Sequence, residues 1–355
     1  MRRGSWFGGV AMLVAAFAQP LVAQTAADPL YICVQDEAKI AVVDMKTQAL
    51  VRTIDLTKLG FSANAKPHHI VGEPDGSFWY ITLIGDNRVI KLDANDRVVA
   101  QSTMETPGML ALDPARGLLL ASRSMSAVNP PRRIGMINTS TMAAEEVDVF
   151  FPRPHPMVLA GNGWAYTGSL GVNQIAAVEI ASETVELTDV EGEAHALVQF
   201  AMSPDNRTLV AATEVSGLLL VFDVSTPAAP KRVASVAIGP MAFDPIFAPD
   251  GRTVWVPVKG ANEIAIVDAA TWQVKERIRH EGLKQPHAIL FSADGTKAFV
   301  SNNNKADHMA GHEEHAGAMV QGPASLVVVD VATHRVLKAI EIGKNLTGIG
   351  ARAGR

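Results

Sequence analysis

Seven short apolar segments, each closing on an acidic or amide residue, recur along this 355-residue chain and limit what it can fold into. They occupy positions 40–44, 89–93, 134–138, 175–179, 219–223, 264–268 and 326–330, and they end on Asp44, Asp93, Asn138, Glu179, Asp223, Asp268 and Asp330. Successive end residues lie 49, 45, 41, 44, 45 and 62 positions apart, and a single expanded loop accounts for the last gap. A short unit of this kind cannot bury its apolar face alone, so copies must stack on one another. A period in the mid-forties built from short strands predicts a β-propeller, in which each repeat is a four-stranded blade.

The remaining strands of each blade can be read upstream of these segments. Positions 68–71 form a first strand, Pro74-Asp75-Gly76 a tight turn, and 78–83 a second strand rich in aromatic and β-branched residues. Turn pairs recur at Asn162-Gly163, Asp205-Asn206, Asp250-Gly251 and Asp294-Gly295, each ahead of an apolar strand. Residues 30–34 read as a second strand with no first strand before them, and 346–351 as a first strand with nothing after them. Pairing the two ends closes the ring at seven blades and removes two open sheet edges. The expectation is an all-β, seven-bladed propeller of four antiparallel strands per blade, forming one domain over residues 28–352. The seven terminal acidic or amide side chains are expected to cap turns rather than to catalyse. Trp79, Trp164 and Trp255 fall in equivalent second strands and should pack between blades.

The blade text Pro-His-x-Ile/Leu, then Asp-Gly, then a strand such as Phe78-Trp79-Tyr80-Ile81-Thr82 or Ala298-Phe299-Val300-Ser301-Asn302, then Ile-Val-Asp-x-x-Thr, resembles the YVTN-repeat, YncE-like propellers. These are grouped with the cytochrome d1 haem domain and the nitrous oxide reductase propeller. The resemblance covers residues 28–352 and implies the fold; propellers host unrelated activities, so it does not fix a function.

The first 23 residues read as a secretory signal, with Arg2 and Arg3, an apolar core over 7–18, and Leu21-Val22-Ala23 before the cut. The apolar stretch is too short to span a bilayer, so the processed chain is expected in the periplasm with no membrane span. The single cysteine, Cys33, excludes an internal disulfide, a covalent c-type haem attachment and a thiolate metal site. Loss of Arg2 and Arg3 moves the formal charge from −5 to −7, and the basic residues are scattered, which argues against nucleic acid as partner. No nucleophile elbow, phosphate loop, dinucleotide fingerprint or His-Glu-x-x-His motif occurs.

Chemistry concentrates in histidine. His68, His155 and His287 each follow a proline and each stand seven positions before a turn residue, namely Asp75, Asn162 and Asp294. The aligned sites of other blades hold Gly108, Val198 and Phe243. First strands line the central channel, so the three imidazoles should share one mouth; His69 follows directly, and His195 precedes its aligned site by three. The expanded loop lies at the same end and carries His308, Met309, His312, His315 and Met319, with Glu313 and Glu314. On a helical turn, His308, His312 and His315 would share one side. Imidazole with thioether suits copper, and imidazole with carboxylate suits zinc, nickel or iron. A proline-preceded histidine can equally be a hydrogen-bonded structural residue, and the loop a solvated insertion. Arg123, Arg132, Arg133, Lys66, Lys259 and Lys305 lie near this mouth by the same strand count.

Three readings follow. The first is a periplasmic propeller, a monomer, that binds copper or another metal through these histidines, with zinc or a haem as alternative cofactors. The second is an oxidoreductase resembling the cytochrome d1 or nitrous oxide reductase propellers, although this chain lacks the electron-delivering domains of those enzymes. The third is a metal-free scaffold for a partner protein.

Overall fold

The computed structural model describes residues 28–124, 126, 128–305 and 322–351. These form seven four-stranded antiparallel sheets, and strand order within six of them follows the chain. The innermost strands are Pro67–Gly72, Pro107–Asp113, Pro154–Ala160, Leu197–Met202, Ile246–Phe247 and Pro286–Phe291, in blades one to six. Blade seven joins the two ends of the chain: Leu346–Ala351 is innermost and pairs antiparallel with Pro29–Val34, followed by Lys39–Asp44 and Ala49–Asp55. The closure expected from the unmatched end strands is therefore observed. Among the described residues no helix is long and apolar enough to cross a membrane.

The core is divided into seven apolar clusters, and each spans one interface between neighbouring blades. The second and third strands supply them because both faces of each sheet are covered, which explains their near-continuous apolar text. At the seven-to-one interface, the Tyr31 and Trp79 rings stack with centroids 4.4 Å apart, while the Tyr31 hydroxyl donates to Asp96 at 2.9 Å. Trp79 and Trp255 are fully buried between blades, and the half-buried Trp164 packs against the cluster between blades three and four, as expected. Removing a buried aromatic such as Trp79 would cost about 3–5 kcal/mol.

The acidic ends of the repeated segments cap turns. Asp44 accepts from the Thr47 amide at 2.8 Å, Asp223 from the Ser225 amide at 2.8 Å, and Asp330 from the Thr333 amide at 2.8 Å. These bonds, together with the neighbouring hydroxyls, hold the Asp223 and Asp330 carboxyls below the ordinary carboxylate range.

Two local devices prepare the channel mouth. The residue before each inner-strand segment is left-handed: Lys66, Thr106, Arg153, Ala196, Met241, Gln285 and Asn345 have φ between +44° and +56°. Such a conformation is uncommon for side chains with a Cβ and often marks a functional site. Here it recurs in all seven blades, so ring geometry imposes it. The carbonyl of this residue accepts from the chain leaving the second strand: Ile84 to Lys66 at 3.1 Å, Leu170 to Arg153 at 3.1 Å, and Asn303 to Gln285 at 3.0 Å.

The second device is a bulge immediately beyond. In blade one the ladder runs Pro67 to Leu83 and then Ile70 to Ile81, so His68 and His69 together oppose Thr82. Blades two, three and six repeat it at Pro107/Leu110, Pro154/Met157 and Pro286/Ile289. A hydroxyl takes the amide that the bulge removes from the ladder: His69 donates to Thr82 Oγ1 at 3.1 Å, Met109 to Ser122 Oγ at 2.7 Å, and Ala288 to Ser301 Oγ at 3.2 Å. Thr82 and Ser301 then donate to the next blade, at Gly108 O (2.9 Å) and Thr347 O (2.6 Å). The Ser or Thr near the end of these second strands thus ties a bulge to its neighbour.

Candidate functional site

Bulges re-aim side chains, and here they bring three imidazoles from non-adjacent blades together inside the channel. The His68 ring centroid lies 6.0 Å from that of His155 and 6.3 Å from that of His287, with both pairs edge-on. All three are buried. His68 occupies the middle because blades three and six each stand two places from blade one around a ring of seven. The offset of seven in the sequence therefore corresponds to real proximity.

Two of the rings are oriented from behind. His68 Nδ1 is 3.1 Å from Gln35 Oε1, and His155 Nδ1 is 2.5 Å from the Val198 carbonyl. Both partners are acceptors, so in the neutral rings Nδ1 carries the proton and Nε2 the lone pair. A backing acceptor of this kind is how imidazoles are held for ligation. His287 packs against Phe243 with centroids 5.0 Å apart, and Lys259 Nζ lies 4.4 Å above the Phe243 ring.

The other sequence candidates are placed differently. His69 points one layer deeper and is half-buried; its Nδ1 accepts from the Leu110 amide at 3.1 Å. Burial, and secondarily the charge of a protonated His155, push its pKa down to about 4, so it is neutral at physiological pH. His195 is committed elsewhere: Nδ1 lies 2.8 Å from Ser216 Oγ and Nε2 3.0 Å from Glu191 O. Both ring nitrogens thus hold the connection before blade four, and the structure does not bring His195 to the cluster. Arg123, expected near this mouth, is buried in ion pairs with Glu105 (3.0 Å) and Glu146. His308, Met309, His312, His315 and Met319, like the leader over 1–23, lie outside the described residues. The flanks of their loop leave the ring beside blade six, where Asn302 pairs with Pro286 and the Lys305 amide donates to Gln285 Oε1 at 2.8 Å.

Sequence reasoning missed Gln199 and Asp244. Counting from the left-handed residues Ala196 and Met241, both occupy the place that His69 occupies after Lys66. Gln199 Oε1 accepts from the Met157 amide at 3.3 Å, and its amide group supports Asp244. Asp244 sits where blade five has lost most of its inner strand, reduced to Ile246–Phe247. Desolvation drives its carboxyl up to about 7, partly opposed by the Gln199 bond. Aligning Val198 and Phe243 with His68 already pointed one residue short of this pair.

Among the described residues no three or more His, Cys, Asp or Glu side chains form a closed metal-ligand group. A nitrogen about 2 Å from an ion puts two ring centroids about 5.2 Å apart in a tetrahedral site and at most about 6.4 Å apart in a linear one. The observed 6.0 and 6.3 Å fall near the linear limit.

No family model matches the sequence, and no curated protein matches it significantly. Solved structures do. Dihydro-haem d1 dehydrogenase NirN in complex with DHE superposes with a TM-score of 0.62 and 15% identity, over 95% of this chain and 77% of that one. Hydrazine synthase from Kuenenia stuttgartiensis gives a TM-score of 0.65 and 17% identity, over 82% of this chain and 91% of that one. At these identities the likeness shows the shared propeller fold and nothing of activity.

Proposed function

We propose that this chain is an exported propeller that binds a metal ion, copper ahead of zinc, at the histidine mouth of its channel. One observation carries the reading: the imidazoles of His155 and His287, from two blades that do not adjoin blade one, each approach that of His68, and His68 and His155 are backed by acceptors at Nδ1. Each separation suits an ion content with two nitrogen ligands, as copper(I) is, held between His68 and one of its two partners, whereas tetrahedral zinc would require the rings to draw in by about 1 Å. His68 belongs to both close pairs and would be the indispensable ligand. The soft thioethers of Met309 and Met319 are donors of a type that suits the same ion.

The test is a copper(I) titration against a competing chelator, using the full processed chain. Uptake of one equivalent, lost in His68→Phe and kept in His195→Gln, is the expected result. Uptake indifferent to His68→Phe, or abolished only by replacing His308, His312 and His315, would refute the assignment. A second reading, a haem-like group at this mouth, is favoured by the fold shared with the haem d1 dehydrogenase complex. One of the three imidazoles would hold its iron, and Lys66 and Arg153, each one residue before the histidine-bearing strand segments, suit its carboxylates. Haem titration followed by visible absorption separates the two, and a chain that takes up neither is left with the scaffold role. Sequencing the mature N-terminus tests export.

A further inference from the structure

The channel has a second end with different chemistry. A cavity of about 440 Å³ is lined by His69 and by inner-strand residues that follow it along the chain. Inner strands of four consecutive blades, six, seven, one and two, wall it with Leu290, Ile349, Gly350, Val71 and Leu112, and His69 closes its inner end. Of all the residues lining it, His69 alone has a polar side chain.

The sequence accounts for the apolar wall. Counted from the left-handed residues, the fifth position of each blade is Val71, Ala111, Val158, Ala201, Ile246, Leu290 and Gly350, a layer without a single polar side chain. Val71, Val158, Ile246 and Leu290 pack against the clusters between blades yet remain partly exposed. The layer two positions nearer the histidine mouth contains His69, Gln199 and Asp244. Polarity therefore changes sharply along the channel axis, and His69 stands at the boundary.

The state of His69 is fixed by its neighbours. The Leu110 amide donates to Nδ1, so the neutral ring must carry its proton on Nε2. That donor stands among lining side chains that are otherwise all apolar, beside the backbone of the inner strands. Pockets for small molecules commonly measure about 300–1,000 Å³, mostly apolar with a few placed polar groups. This cavity falls within that range of volume, and its lining side chains are apolar but for His69.

We propose that this end of the channel binds a small, largely apolar molecule carrying one hydrogen-bond acceptor, such as an aryl ketone, with His69 Nε2–H meeting the acceptor. The site is separate from the histidine mouth and does not depend on the metal reading.

Acetophenone and isopropylbenzene, near-isosteres with and without the carbonyl, are suitable probes for the full chain by ligand-observed NMR. Saturable binding of acetophenone is expected, lost in both Val71→Trp and Leu290→Trp, which fill the cavity from different blades. Replacing His69 by Phe keeps the ring but removes the donor, and should shrink the preference for acetophenone over isopropylbenzene by roughly fivefold. Circular dichroism verifies that each variant folds, and copper uptake in Val71→Trp should match wild type, so failure here is distinct from failure at the other mouth. Absence of saturable binding, or binding that survives both tryptophan variants, overturns the site. An unchanged preference in the Phe variant overturns the role of His69.

Discussion

Gly348→Ala tests the link between ring closure and the histidine cluster. A Cβ at this position would lie 2.2 Å from the His68 carbonyl oxygen and 2.9 Å from the His69 Cα. Both obstacles are backbone, and that backbone is pinned by the left-handed Lys66 on one side and the Thr82-bonded amide of His69 on the other. No side-chain rotation can relieve the clash, so the inner strands of blades seven and one must part. Overpacking typically costs about 1–3 kcal/mol, and an unyielding neighbour puts this case near about 3 kcal/mol. An unfolding entropy of about 2.1 cal/mol/K per residue over roughly 300 residues gives about 0.6 kcal/mol/K, hence a fall in Tm of about 5 °C. Gly171→Ala is the control: its nearest neighbours, Pro152 and Ser169, would be 3.7 Å from the new Cβ, ordinary contact. Calorimetry on both variants checks the difference, and copper affinity should fall at least tenfold in Gly348→Ala because His68 moves with its carbonyl. Equal melting temperatures for the two variants would refute the argument that the close approach of these strands positions His68.

Asp244→Asn should stabilise the protein increasingly as pH rises. The native carboxyl titrates near 7 against an ordinary 3.8, so between these values the folded chain holds a proton that the unfolded chain has released, and stability falls with rising pH. His69, neutral in the fold down to about 4, acts in the opposite sense between about 4 and 6.5, so the wild-type profile is muted. Melting curves from pH 5 to 8 should show the gap between Asp244→Asn and wild type widening; a constant gap contradicts the assignment. Ser301→Ala strands the Ala288 amide and the Thr347 carbonyl at the blade six-to-seven seam and should cost about 1–3 kcal/mol in denaturant unfolding. His195→Gln should destabilise by a similar amount, since two partners are lost, while leaving copper uptake as it was.

Much of this protein is written locally. Each blade is a short strand text with its own turn residues, so the repeat, the number of blades and the pairing of 346–351 with 30–34 follow from the sequence. The ring also made His68, His155 and His287 legible, because a matched offset within a repeat becomes a matched height within the channel. What sequence could not supply was direction. His195 lies in the same connection as the aligned sites, yet its nitrogens turn to Ser216 and Glu191. Gln199 and Asp244 look like ordinary polar residues until blade five is seen to lose its inner strand beside them.

The sequence by itself determined the blades, their order and which residues stand at one height, since strand periodicity and turn chemistry act over a few residues. Only the tertiary structure decided which of those residues meet. Whether a side chain enters the channel depends on the bulge after each left-handed residue and on how far apart blades stand around the closed ring. Those distances join His68 to His155 and His287, and they exist only once the two ends of the chain share a blade.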